Sequence, residues 1–237
     1  MNNILDQEHE GFTKEISRDF FKNVYSYMFA ALGISGLLAY VCGTPEFFLK
    51  YFMTSEGGIS PLFYVCAFAP VGLGLIIQTA YQRMSLGALL ALFIAYSALM
   101  GVSLGVIFLV YSGAAIASTF FVTAGAFAGM AILGYTTKTD LTKMGSLLYM
   151  AFIGIFIAGI VNIFMKSDMM GFIIAVIGVF VFTGLTAYYM QQLKNVSKDS
   201  SLSGIDRNKL ALVGGMQLYI LFVNLFLSLL RLLGSRD

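Results

Sequence analysis

Tryptophan is absent from this 237-residue chain, histidine occurs once, cysteine twice and proline three times. Charge is scarce as well. The 14 Lys and Arg and 12 Asp and Glu make up 11% of the residues, against about 25% in a soluble domain. With 59% apolar residues and a mean hydropathy of +0.86, a soluble globular enzyme and a disordered chain are both excluded. The same scarcity of charge excludes a nucleic-acid binder with a basic face, and a net charge of +2 is too small to imply an anionic partner. The single histidine, His9, lies in the N-terminal tail, so neither a histidine metal site nor a histidine proton relay is available within the membrane. Cys42 and Cys66 sit in separate apolar runs without metal-ligand spacing and read as small apolar side chains. No cofactor is expected.

What the chain does have is long apolar runs. A bilayer core about 30 Å thick needs roughly 20 apolar residues per helix. Seven spans meet that need: 24–43, 60–81, 86–110, 113–135, 144–165, 169–191 and 210–233. They read as helices, because spanning backbone must satisfy its own hydrogen bonds. The alternating segments of about 10 residues that mark a membrane barrel are missing. Arg231 is the one charged residue inside a span, and no span contains Asp or Glu. The expected fold is an all-α integral membrane bundle of seven helices occupying 24–233. A polar tail, 1–23, precedes it and a short tail, 234–237, follows. The acidic residues of that first tail, Asp6, Glu8, Glu10, Glu15 and Asp19, are unlike a secretory signal.

Lys and Arg set the orientation. With the N-terminus in the cytoplasm, ten fall inside: Lys14, Arg18, Lys22, Arg83, Lys138, Lys143, Lys194, Lys198, Arg207 and Lys209. Four fall outside: Lys50, Lys166, Arg231 and Arg236. The bilayer is therefore the first partner. Asp206 is placed to cap the seventh span. Pro70 should kink the second.

Twenty of the 25 glycines lie within spans. Gly101/Gly105, Gly125/Gly129 and Gly154/Ala158 form small-xxx-small pairs, which suit close packing within the bundle or a homodimer face. Polar residues in the spans are neutral and concentrate in the last two: Thr186, Tyr188, Tyr189, Gln191, Gln217, Tyr219 and Asn224. They read either as an interhelical hydrogen-bond network or as the lining of a polar cavity. Arg83, just after the second span, reads as a snorkelling interface anchor or as a partner for a gate. With no acid, histidine or nucleophile–base pair in any span, no enzymatic activity is expected.

Three ordered stretches carry a family resemblance: GYTTKTDL (134–141), GLTAYYMQQLK (184–194) and LYILFVNLFLSLLRLLG (218–234). Together they resemble the Bax inhibitor-1/YccA family, and residues 96–138 are similar to its bacterial YbhL-like branch. The resemblance implies a seven-helix bundle with the seventh helix central, in the bacterial cytoplasmic membrane. It also implies a pH-sensitive calcium leak gated by paired aspartates on helices six and seven. Two close carboxylates share a proton and so sense pH, and when ionised they attract Ca²⁺. This chain departs from that pattern at both positions. Where the family motifs read TAYD and LYLDFINLF, the aspartates are replaced by Tyr189 and Leu221. Some YccA-type relatives without the aspartates modulate the membrane protease FtsH, which implies an alternative role as its partner.

Overall fold

In the computed structural model, residues 2–199 and 202–235 are described, with side chains from residue 15 onward. His9 and Arg236 therefore lie outside the described side chains. Among the described residues eight α-helices run in order, seven of them long and apolar enough to cross a membrane. They are α1 (Asn2–Cys42), α2 (Pro45–Phe52), α3 (Pro61–Ala80), α4 (Leu86–Leu104), α5 (Gly113–Thr136), α6 (Thr142–Met165), α7 (Asp168–Ser197) and α8 (Gly204–Leu233). The expected seven-helix membrane fold is present, and the sixth and seventh spans correspond to α7 and α8.

Residues 2–23 are read from the sequence as a tail, yet they are the first half of α1. From Phe20 onward a buried stripe crosses the boundary expected at residue 24. Phe20, Val24, Met28, Ala31, Ser35, Ala39 and Cys42 are all buried, and their spacing of three or four residues keeps them on one helical face. The second difference is α2, an amphipathic helix inside the 44–59 connection. Thr44 caps it by accepting from the Phe47 amide at 3.2 Å, with Pro45 in the first turn. Phe52 is buried, and its ring meets Phe63 edge to face.

Helix ends follow ordinary capping chemistry. Ser85 and Ser112 each accept a backbone amide at 3.2 Å to start α4 and α5. Lys166, in the left-handed conformation at φ 50°, ends α6. Asp206 does not stand at the cap position of α8. Ser203 does, accepting the Asp206 amide, while the Asp206 carboxylate accepts from the Ser203 hydroxyl at 2.6 Å. The cap thus stands three residues before the expected position, with Asp206 in the first turn of α8. Pro70 is buried within α3, which continues on both sides of it.

The chain divides into two compact units, Met1–Val110 with Ser197–Tyr219, and Tyr111–Val196 with Ile220–Asp237. In the first, α1 crosses α4 closely. A Cβ on Gly101 would lie 2.6 Å from the Ser35 carbonyl oxygen, and one on Gly105 would lie 3.3 Å from the Gly43 nitrogen. At Gly101 only glycine permits that approach, and the contact at Gly105 is tight, so the pair serves close packing. Gly125, Gly129 and Gly154 instead face open space, and packing within this chain does not account for them.

Candidate functional site

The second unit brings two of the family-like stretches together. Gly134 at the end of α5 meets the Ala187 backbone of α7, where a Cβ would stand 2.6 Å from Ala187 Cα. Gly145 of α6 lies against the Tyr188 ring, and Gly184 of α7 against Leu148. The α5–α6 connection is held from α7 as well. Gln191 accepts from the Leu141 amide at 2.9 Å and donates to the Thr139 carbonyl at 2.8 Å. Lys194 Nζ donates to the Tyr135 carbonyl at 2.5 Å and sits 5.2 Å from the centre of its ring. Close glycines thus set the helix spacing, and two polar side chains one turn below fix the loop. Within that loop Asp140 accepts from the Thr142 hydroxyl at 2.6 Å and the Thr142 amide at 2.9 Å. These bonds hold its carboxyl below the usual carboxylate range.

One turn above the clamp stand three tyrosines. Tyr149 of α6 and Tyr188 of α7 meet edge to face at 6.2 Å, and Tyr188 meets Tyr189 at 6.3 Å. A side-chain hydrogen bond links Tyr149 to Tyr189, whose side chain is half-buried. Leu221 is 2% exposed. The next residue, Phe222, packs its ring on Phe120 at 5.4 Å and Phe127 at 5.5 Å. Further along, α7 and α8 are held close where Gly178 faces Ser228 and Gly171 faces the Arg231 guanidinium.

Apart from Tyr188 and Tyr189, whose rings meet, the polar residues singled out in the last two spans make their contacts outside that set. Thr186, fully buried, donates to the Phe182 carbonyl at 2.7 Å. Asn224 donates to the Ile220 carbonyl at 2.8 Å. Gln191 serves the loop. In the first unit Gln217 accepts from Gln78 of α3 at 2.6 Å. Tyr219 is wholly buried edge to face with Tyr96 at 6.0 Å. A network joining these side chains directly is therefore replaced by local and pairwise satisfaction. In hydrocarbon, a Thr or Asn bonded to its own helix carbonyl needs no partner helix. Arg83 is exposed at the end of the 3₁₀ turn that follows α3.

Sequence reasoning missed a polar layer in the first unit, near the start of α8. The Ser17 and Ser197 hydroxyls are 2.6 Å apart, Asn23 donates to Asn208 at 3.3 Å, and Lys209 donates to the Gln82 carbonyl at 3.3 Å. Arg207 reaches back to the Asp199 carbonyl at 2.9 Å. The Asn and Ser residues on α1 were the available signal, hidden because that segment was read as a tail. Among the described residues, no three His, Cys, Asp or Glu side chains come together to hold a metal ion.

Known proteins place the chain among relatives. The family model described as "Inhibitor of apoptosis-promoting Bax1" matches residues 17–237. The inner membrane protein YbhL of Escherichia coli K12 is 39% identical over 90% of each chain. A protein of Borreliella burgdorferi is 41% identical over 93% of this chain and 94% of its own. A membrane protein of Streptococcus pyogenes serotype M1 is 31% identical over 92% and 93%. The seven apolar helices and the inner-membrane relative together make this a multi-pass protein of the bacterial cytoplasmic membrane, and the chain belongs to the Bax inhibitor-1 family.

Proposed function

We propose that the chain is an ion-leak or membrane-homeostasis protein whose gate level does not titrate, oriented with its N-terminus in the cytoplasm. Burial of Leu221 at 2% exposure carries the reading. The residue has no oxygen to bind Ca²⁺ and no proton to release, and it stands where the family motif usually has aspartate. Tyr189 replaces the second acid and is held by Tyr149. An unperturbed phenol ionises near pH 10, well above physiological pH. The ten-to-four division of Lys and Arg supports the orientation. No catalytic step is part of this reading, since the seven apolar runs 24–43, 60–81, 86–110, 113–135, 144–165, 169–191 and 210–233 hold no acid and no histidine.

The test is calcium flux into proteoliposomes at several pH values. Flux should be absent or flat between about pH 6 and 8, the range in which a shared-proton carboxylate pair would respond. Flux that titrates in that range overturns the reading. Tyr189→Asp combined with Leu221→Asp should introduce pH dependence in a protein that still folds.

One observation favours a second reading, that of a partner of the membrane protease FtsH. Helix α1 continues as a helix to Asn2, and Glu15, Arg18, Asp19 and Lys22 are exposed along it. A charged helical stalk is a better handle for a partner than a loose tail. Removal of residues 1–18 should then abolish co-purification of FtsH, and undiminished recovery would count against the partnership.

A further inference from the structure

Pro70 lies inside α3 and is buried there. Proline has no amide hydrogen, so the carbonyl four residues earlier in a helix loses its usual donor. In α3 that carbonyl belongs to Cys66, a residue 8% exposed. A backbone oxygen stranded in an apolar bundle is costly, because no water replaces the lost bond.

The Cys66 oxygen is not stranded. Ser103 of α4 donates its hydroxyl to it at 2.5 Å. The same hydroxyl lies 2.9 Å from the Leu99 carbonyl of its own helix, so the shorter contact is the one that crosses between helices. Other hydroxyls in the spans behave differently. Ser97, Thr123, Thr183 and Thr186 each donate to a carbonyl of their own helix, the common way for a mid-helix Ser or Thr to be satisfied. The α3 carbonyl that Ser103 reaches is the one that Pro70 leaves without an amide. Both helices belong to the first unit.

We infer that Ser103 stands in for the amide that Pro70 lacks. Pro70 and Ser103 then form one device. The proline opens the backbone ladder of α3, and the serine closes it from α4. The closure ties the two helices together at the level of the break, through an acceptor that an uninterrupted α3 would keep for itself. Ser103 is thus a positioning residue whose worth depends on Pro70. A helix with an amide at position 70 would not need its hydroxyl.

The first test is a double-mutant cycle, read by SDS titration of the intact protein in mixed micelles. Ser103→Ala should lower the folding equilibrium constant by about fivefold or more, the cost of leaving a buried acceptor unsatisfied. In a Pro70→Ala background an amide again faces the Cys66 carbonyl. There the same substitution should cost about twofold or less, the range of a change that removes no needed contact. Ser103→Thr keeps the hydroxyl and should behave like the natural chain. The second test observes the carbonyl itself. Cys66–Ala67 is the only Cys–Ala step in the sequence. Carbon-13 at the cysteine carbonyl combined with nitrogen-15 alanine therefore isolates the Cys66 resonance by NMR. Ser103→Ala should move that resonance upfield, as for a carbonyl that loses its donor, and Ser103→Thr should leave it near its original position. An equal cost of Ser103→Ala in both backgrounds overturns the inference. So does a Cys66 resonance that Ser103→Ala leaves in place, a result that is read whether or not Pro70→Ala folds.

Discussion

Helices α6 and α8 are both long and apolar, yet they meet opposite surroundings. None of the most apolar stretch of α6 is buried against protein, whereas 72% of that of α8 is. In a soluble protein the more apolar helix would be the more buried. Here the order is reversed, because lipid is itself an apolar solvent and offers no hydrophobic drive for helices to associate. What distinguishes α8 is texture. It carries Gln217, Tyr219, Asn224 and Ser228, and Gly215 lets α1 approach closely. Its buried positions extend well beyond a single face: Leu212, Met216, Leu218, Tyr219, Leu221, Val223 and Leu225. Helix α6 presents Leu147, Met150, Ile153 and Phe164 outward, and Gly145 is its one buried residue.

Paired substitutions in the two helices can break this contrast. Leu221→Ala in α8 should cost about 3 kcal/mol, the usual size of a core cavity. Leu147→Ala in α6 should cost no more than about 0.5 kcal/mol, the range for an uncrowded surface site. Both are read by SDS titration in mixed micelles. Equal costs would mean that α8 is not the packed helix. A smaller effect is expected at glycine. A Cβ on Gly215 would stand 2.6 Å from the Val24 carbonyl oxygen, while one on Gly154 meets nothing within 4 Å. Gly215→Ala should therefore cost about 2 kcal/mol through overpacking. Gly154→Ala should change stability by no more than about 0.5 kcal/mol. Smaller again is the Gln78–Gln217 pair. Gln217→Met should cost about 0.6 kcal/mol, the typical worth of an interhelical hydrogen bond in a membrane. It should also be non-additive with Gln78→Met in a double-mutant cycle.

The seven crossings were legible because bilayer thickness imposes a minimum apolar length. Thus 60–81 anticipates Pro61–Ala80 and 113–135 anticipates Gly113–Thr136 almost to the residue. The extension of α1 was not, because hydropathy averages over the polar residues that flank Phe20 and Val24 and loses their common face. Partner choice was illegible for a different reason. Gln78 and Gln217 lie 139 positions apart, and nothing local to either names the other. Small-xxx-small spacing is the same in Gly101/Gly105 and Gly125/Gly129, although the first pair meets a helix and the second does not. That pattern marks a face that permits close approach without saying what approaches. The candidate site was legible at Tyr189 and Leu221 only through the family motif. The clamp formed by Gln191 and Lys194 required the structure, because its acceptors are backbone carbonyls that carry no sequence signature.

The smallest expected effect lies where α6 leaves the polar loop. Asp140 accepts both the hydroxyl and the amide of Thr142, and these two bonds, the side-chain one foremost, hold its carboxyl below its ordinary value of 3.8. A depressed carboxylate stabilises the folded state when ionised. Its contribution is complete above the unfolded-state value, near pH 4, and is lost as the pH falls through the lower folded value. Asp140 is fully exposed, so solvent screens the interaction and the effect stays local. The amide of Thr142 should exchange faster with deuterium as the pH drops below about 4, after correction for intrinsic rates. Asp140→Asn keeps an acceptor oxygen but has no charge to lose, so it should flatten that dependence without altering exchange in the centre of α8. If acid loosened both helices together, Asp140 would be linked to the packed interior, and the separation of a lipid-facing α6 from a protein-packed α8 would fail.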